Sequence, residues 1–200
     1  IVKALVQGES IVVNSLCFPS QFGCTQDVPT YDYNPEKAKK LLAEAGYPNG
    51  FETPFLAYRN RDYAEAMINN LNAVGITAKF EYLKYAAFRD KVQSGGAPFN
   101  FGTWGSYSIN DVSAITSHFQ SGGKDDYSKD PEVIKQLAIG DTSVDANVRK
   151  AAYKAALSRI SGEAFMFPLW SYNTWYAFSK DVDFNPTPDE IPRFFTAKWM

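Results

Sequence analysis

The sequence predicts an α/β domain, a mixed and mostly parallel sheet flanked by helices. Two observations carry this. Between residues 31 and 104, stretches with apolar residues at helical spacing alternate with stretches of period two, in the order helix, strand, helix, strand, helix, strand. Each helical stretch stops at glycine (Gly46, Gly75, Gly95-Gly96), and a strand pattern begins a few residues later. Strands joined through helices pair in parallel, with right-handed crossovers, because the helix must return the chain to the same end of the sheet.

Residues 1–30 are the least regular part and read as an opening strand and a loop. Asn34-Pro35-Glu36 then supplies an N-cap, a proline at the first helical position and a first-turn acid, followed by Ala38, Leu41, Leu42 and Ala45 on one stripe. After the turn Tyr47-Pro-Asn-Gly50, Phe51, Thr53, Phe55 and Ala57 alternate as a strand, which Pro54 places near an edge. A second helix carries Ala64, Met67, Ile68, Leu71 and Val74, and Ile76, Ala78, Phe80 and Tyr82 alternate after it. The third repetition runs through a helix over 86–94 and a strand over 98–104. Beyond it the pattern gives short helices, over 111–119 and from Asp130-Pro131 to Ile139, and a long one over 145–161 with Val148, Ala152, Ala155, Ala156 and Ile160 inward. An apolar strand pair, 164–170 and 175–179, is expected to follow. The remainder, 183–200, holds three prolines and then Phe194, Phe195 and Trp199, so an extended tail is expected.

Composition narrows the function. Against 22 Asp and Glu stand 20 Lys and Arg, a formal charge of -2, which lacks the basic surplus of a nucleic-acid or anionic-membrane binder. One histidine, His118, and two cysteines cannot build a multi-His or Cys-rich zinc site. The longest uncharged apolar stretch, 164–178, is too short and too polar to span a bilayer as a helix. Neither Met nor a signal-peptide pattern opens the chain, which is expected to be a piece of something longer. Aromatic residues are abundant, 15 Phe, 12 Tyr and 4 Trp, beyond what a core of this size needs. Cys17 and Cys24 flank a Pro/Gly loop that suits a disulfide and an oxidising compartment, the alternative being two reduced thiols.

No catalytic constellation stands out. Asp125-Asp126 reads as a solvated turn, no phosphate-cradling glycine motif follows a strand, and no cofactor is implied. A hydrolase built on Ser106 or Ser108 with His118 would lack the strained nucleophile elbow and an acid in register. The strongest functional candidate is the segment 99–111. Trp104 and Gly105 lie where a parallel strand delivers its carboxyl end into a loop, the place where open α/β sheets bind ligands. Arg59, after the first strand, and Tyr85, after the second, fall on the same rim.

The stretch Tyr31-Asp-Tyr-Asn-Pro-Glu-Lys-Ala-Lys-Lys-Leu-Leu-Ala-Glu-Ala-Gly-Tyr-Pro-Asn-Gly-Phe51 closely resembles the signature of the extracytoplasmic solute-binding proteins (family 5) of oligopeptide, dipeptide and nickel ABC importers. Leu71-Asn-Ala-Val-Gly-Ile-Thr-Ala78, Phe101-Gly-Thr-Trp-Gly105 and Phe167-Pro-Leu-Trp-Ser-Tyr172 are similar to other family passages, so the resemblance covers about residues 30–182. It implies a periplasmic-binding-protein-like lobe, one half of a two-lobe hinged clamp, with 31–182 as the lobe and 183–200 packing toward an absent first lobe. It further implies capture without turnover, a periplasmic location, and ABC permease subunits and the protein's own N-terminal lobe as partners. Matched onto the family, Trp104 and Gly105 touch the ligand and Tyr85 is an aromatic wall; their places in the chain add Ser106 and Tyr107 to the expected ligand face and Arg59 as an anchor for a ligand anion or peptide carboxylate. Peptide binders of the family carry an aspartate where Tyr107 stands, to hold the peptide's amino group. The resemblance implies a peptide or peptide-like solute, or else an opine, a sugar conjugate or a nickel chelate, and Tyr107 counts against capture of a free peptide amino group by the family's contact.

Overall fold

A computed structural model describes residues 1–6, 8–106, 109–187 and 191–200. Its contacts divide the chain into two compact units, Ile1, Lys3–Val6 and Thr30–Thr103 in the first, and Val2, Gln7–Pro29 and Trp104–Met200 in the second.

The first unit holds α1 (Pro35–Glu44), β1 (Phe51–Ala57), α2 (Arg61–Asn72), β2 (Ile76–Tyr82), α3 (Tyr85–Gln93) and β3 (Phe99–Phe101). The strands form one sheet in the order β2-β1-β3, parallel throughout, as the alternation of helices and strands requires. The expected proline effect is local rather than global. β1 is the central strand, but β3 pairs only with Phe55–Ala57, so Pro54 lies before the stretch flanked on both sides. Register at the other end is set by two glycines: Gly50 and Gly75, both at positive φ, immediately precede the paired residues Phe51 and Ile76, and a Cβ on Gly50 would collide with the Gly75 carbonyl. Leu56, Phe88, Val92 and Ala97 make the small core, with Tyr58 and Leu83 against it.

Helix starts follow their capping chemistry. The Asn34 side chain accepts from the Lys37 N–H at 2.9 Å ahead of Pro35, as the sequence predicts. The apolar stripe of α1 nevertheless finds no core: none of its residues is buried. In α2, Ala64 and Ile68 are buried and Met67 and Leu71 half-buried, as is Val74 in the turn that follows.

The second unit holds α4 (Ser113–Phe119), α5 (Pro131–Thr142), α6 (Ala146–Gly162), the strands β4 (Val182–Asp183) and β5 (Lys198–Trp199), and a 3-10 turn over Phe194–Thr196. Its core joins Leu16, Cys17, Val112, Val133, Leu137, Tyr153, Ala156, Leu157 and Ile160. The inward face of α6 differs from the expected one, since Val148 and Ala155 are exposed while Tyr153 and Leu157 are buried. Gly140 explains Tyr153, whose ring occupies the space a Cβ at that position would need. The strand pair expected over 164–179 does not form. Trp170 instead makes a single antiparallel bridge with Val12, supported by Ser171 donating to Ile11 O at 2.9 Å, and 175–179 stays irregular. The tail is less extended than expected, because β4 and β5 close it as an antiparallel pair.

Candidate functional site

In the first unit, the carboxyl ends of β1 and β3 place Tyr58 and Arg59 beside Thr103. Arg59 Nη1 donates to Thr103 Oγ1 at 2.8 Å, and the Tyr58 hydroxyl shares the same oxygen at 3.1 Å. The Tyr58 ring lies 5.0 Å from that of Tyr85, the first residue of α3, and 4.9 Å from that of Phe88, and the Arg59 guanidinium stands 5.7 Å from its centroid. Phe88 is buried and anchors the cluster, whereas Tyr85 is 59% exposed and presents an aromatic face. Arg59 is exposed, and no carboxylate pairs with it among the described residues. A guanidinium steered by a neutral hydroxyl and backed by aromatic rings keeps its charge for an incoming anion. Arg59 and Tyr85 thus meet through Tyr58 and Thr103, two residues that sequence reasoning passed over although they adjoin Arg59 and Trp104 in the chain.

In the second unit, Trp104 stacks on His118, with centroids 4.4 Å apart and planes at 25°, and Phe119 meets the indole edge-on at 5.2 Å. His118 Nε2 lies 3.5 Å from Asp125 Oδ2. One face of the indole is therefore backed, and Trp104 remains 36% exposed. Gly105 and Ser106 are half-buried, and the Ser106 carbonyl accepts from the Ile109 N–H at 3.0 Å. Tyr107 and Ser108 lie outside the described residues.

Asp111 is committed elsewhere. Its Oδ2 accepts from Arg149 Nη2 at 2.7 Å and its Oδ1 from the Ser113 N–H at 3.0 Å. Burial pushes its carboxyl up, but the Ser113 N–H and hydroxyl and the Arg149 guanidinium outweigh this and hold it below the ordinary carboxylate range. Arg149 also donates to the Tyr153 hydroxyl, which donates to Asp141 Oδ1 at 2.8 Å, and burial pushes that phenol up to about 12. Asp111 is thus one end of an internal network.

No hydrogen bond joins Ser106 to His118 among the described residues. Nor does any group of three His, Cys, Asp or Glu side chains among them stand close enough to hold a metal ion. Cys17 and Cys24 form a disulfide, with Cα atoms 5.7 Å apart. An open cleft of about 390 Å³, lined by Lys39, Leu42, Tyr47, Asn72 and Val74 among others, sits beside Gly50 and Gly75, at the end of the sheet opposite Arg59.

The first unit is an α/β module with exposed cationic and aromatic groups, Arg59 and Tyr85, at its strand ends. Residues 1–126 match the family described as Bacterial extracellular solute-binding proteins, family 5 Middle, and the chain belongs to that family. The match takes in the first thirty residues, ahead of the stretch in which the sequence itself resembles the family. The chain is similar to Heme-binding protein A of Haemophilus influenzae, 47% identical over 55 residues, which are 28% of this chain and 10% of that one. It is similar to the Dipeptide-binding protein of Escherichia coli, 37% identical over 100 residues, 43% of this chain and 19% of that one. Among solved structures, HbpA2 from Haemophilus parasuis superposes with a TM-score of 0.85 at 26% identity over 100% of this chain and 42% of that chain. The chain therefore spans about two fifths of the length of that solved relative. Heme-binding protein A and the Dipeptide-binding protein are binding proteins by name, and the family to which the chain belongs is one of solute-binding proteins and not of enzymes. No helix among the described residues is long and apolar enough to cross a membrane.

Proposed function

We propose that this chain is the solute-capturing part of a periplasmic binding protein that delivers a peptide or peptide-like solute to the permease of an ABC importer. The residues assigned to face the solute are Arg59, Tyr85, Trp104, Gly105, Ser106 and Tyr107. The observation that carries the reading is Arg59, an exposed guanidinium oriented by Thr103 and flanked by aromatic rings at the carboxyl ends of parallel strands. Such a group suits the carboxylate that every free peptide carries. The dipeptide specificity of the Escherichia coli relative points the same way.

A second reading, a non-peptide anionic solute, draws on Tyr107. With no carboxylate at that position, a buried peptide ammonium would lose its partner at considerable cost. Heme-binding protein A, similar to this chain over 55 residues and named for a non-peptide ligand, supports this reading.

Calorimetry on the full-length parent with a dipeptide, glutathione, an opine and hemin separates the two. Whichever solute binds, Trp104→Ala is expected to weaken it by about 10- to 100-fold, the loss of one well-placed aromatic contact. Arg59→Ala is expected to weaken anionic solutes selectively. Unchanged affinity in Trp104→Ala removes Trp104 from the site.

A further inference from the structure

The disulfide-closed ring has no part in solute capture as described so far, yet its contacts reach the segment that follows Trp104. Between Cys17 and Cys24, the Gln21 N–H donates to Phe18 O at 2.9 Å, the Phe18 N–H donates to Gln21 Oε1 at 2.9 Å, and the Cys24 N–H donates to Gln21 O at 3.1 Å. The amide oxygen of Gln21 is thus spent inside the ring, which aims the amide nitrogen outward. That nitrogen donates to Ile109 O at 3.2 Å, and Gln21 is only 8% exposed. Phe22 continues the contact as a parallel bridge to Asp111: its N–H donates to Asn110 O at 3.1 Å and its carbonyl accepts from the Val112 N–H at 3.0 Å. Arg149 lies over the Phe22 ring at 4.7 Å while donating to Asp111.

Two adjacent ring residues therefore hold Ile109, Asn110 and Val112. Ile109 passes the constraint on, since its N–H donates to Ser106 O at 3.0 Å, two residues from Trp104. A ring this short removes somewhat less loop entropy from the unfolded chain than a long-range bridge would, and its hydrogen bonds to 109–112 give it a local role as well. Gly23, at φ 79°, fits the same picture: it turns the ring where a Cβ would strike the Tyr153 ring, leaving Phe22 directed at Asp111.

We propose that the Cys17–Cys24 ring is a positioning clamp for the Trp104-Gly105-Ser106 corner, with Gln21 as its positioning residue. The clamp rests on the reading of that corner as solute-facing. The ring's geometry fixes the Ile109 carbonyl, the Ile109 N–H fixes the Ser106 carbonyl, and the corner is held ready before solute arrives, which reduces the ordering cost of binding.

The test is Gln21→Glu in the 200-residue chain labelled with 5-fluorotryptophan, the Trp104 resonance being assigned by its disappearance in Trp104→Phe. A carboxylate offers the Ile109 carbonyl only acceptors, whereas a protonated carboxyl donates to it. The Trp104 resonance is expected to move from its wild-type position at about pH 7 and to return toward it at about pH 4.5, as the introduced carboxyl takes up its proton. Exchange of the Ile109 and Val112 amides is expected to rise about tenfold at neutral pH, the loss of one hydrogen bond's worth of protection, while those of Ala156 and Leu157 in α6 hold. A Trp104 resonance at its wild-type position at both pH values overturns the proposal, as does a uniform change in all four tryptophans and in α6. If Gln21→Glu does not fold, the same signals are read in the wild-type chain before and after reduction by dithiothreitol. Change confined to Trp104, Ile109 and Val112 supports the clamp, and no change or a uniform change overturns it. None of these signals needs a bound solute. Should they appear while Trp104→Ala leaves solute affinity intact, the clamp stands and the solute-facing reading falls.

Discussion

Trp104 has two faces, and His118 takes one of them. The indole is thereby held at a fixed angle at little conformational cost, and it remains 36% exposed. Replacing His118 by alanine is expected to leave the fold intact, shift Trp104 emission to the red and weaken solute binding by about three- to tenfold, the value of one aromatic pair. Fluorescence and calorimetry on the variant check both parts. Tyr153 makes a different kind of statement. Its ring is fully buried and its hydroxyl accepts from Arg149 while donating to Asp141. Tyr153→Phe keeps the packing but strips two charged groups of a partner, and is expected to cost about 1–3 kcal/mol in denaturant unfolding. Its phenol is pushed up to about 12, so absorbance of the folded chain should show one tyrosine that ionises well after the exposed ones.

At the scale of elements, α5 and α6 share a core, and Asp130 adds a charged tie between them. Asp130 caps α5 through the N–H groups of Glu132 and Val133 and receives Arg159 of α6 through two nitrogens, at 2.8 and 2.7 Å. The Arg159 hydrogen bonds first, then the Val133 N–H, hold its carboxyl at about 2 against an ordinary 3.8. A depressed folded value means that the unfolded chain binds the proton first. The stabilisation is therefore complete above about pH 4 and lost as pH falls toward 2. Asp130→Asn should melt below wild type at neutral pH, and the gap in melting temperature should close across that interval in a pH series. Such caps are where the sequence was most legible. Asn34-Pro35, Asp130-Pro131 and the terminal glycines declare helix boundaries through chemistry confined to a few residues, and the helices lie where that chemistry puts them. The strand pair over 164–179 shows the opposite case. Its alternation is real, but Trp170 finds its partner in Val12, more than 150 residues away, and no local pattern encodes that choice. Tyr153 escaped notice for a similar reason: α6 is alanine-rich and weakly amphipathic, and its inward face is decided by a glycine on another helix. Of the candidate site, Trp104, Arg59 and Tyr85 could be read from their places after strands. Tyr58, Thr103 and Gln21 could not, because their roles are contacts made to other residues and not signals in their own spacing.

At the scale of the whole chain, the described sheet is three strands wide, parallel, with β2 and β3 at its rims. Parallel sheets in α/β proteins are ordinarily covered, and their outer strands carry rows of hydrogen-bonding groups that accept any extended segment. On β2 the rim is studded with charge: Lys79 pairs with Glu52 of the neighbouring strand, and Glu81 pairs with Lys91 of α3. Charged side chains at a rim make stacking of a second copy unfavourable. The seven residues Ile-Thr-Ala-Lys-Phe-Glu-Tyr otherwise meet the description of a segment that seeds cross-β assembly, being rich in β-branched and aromatic residues and free of proline. The double change Lys79→Thr and Glu81→Thr is therefore expected to leave the monomer's secondary structure unchanged by circular dichroism while producing concentration-dependent light scattering and thioflavin binding. Two salt bridges of little worth to stability would then be what keeps this strand from acting as a nucleus for fibrils.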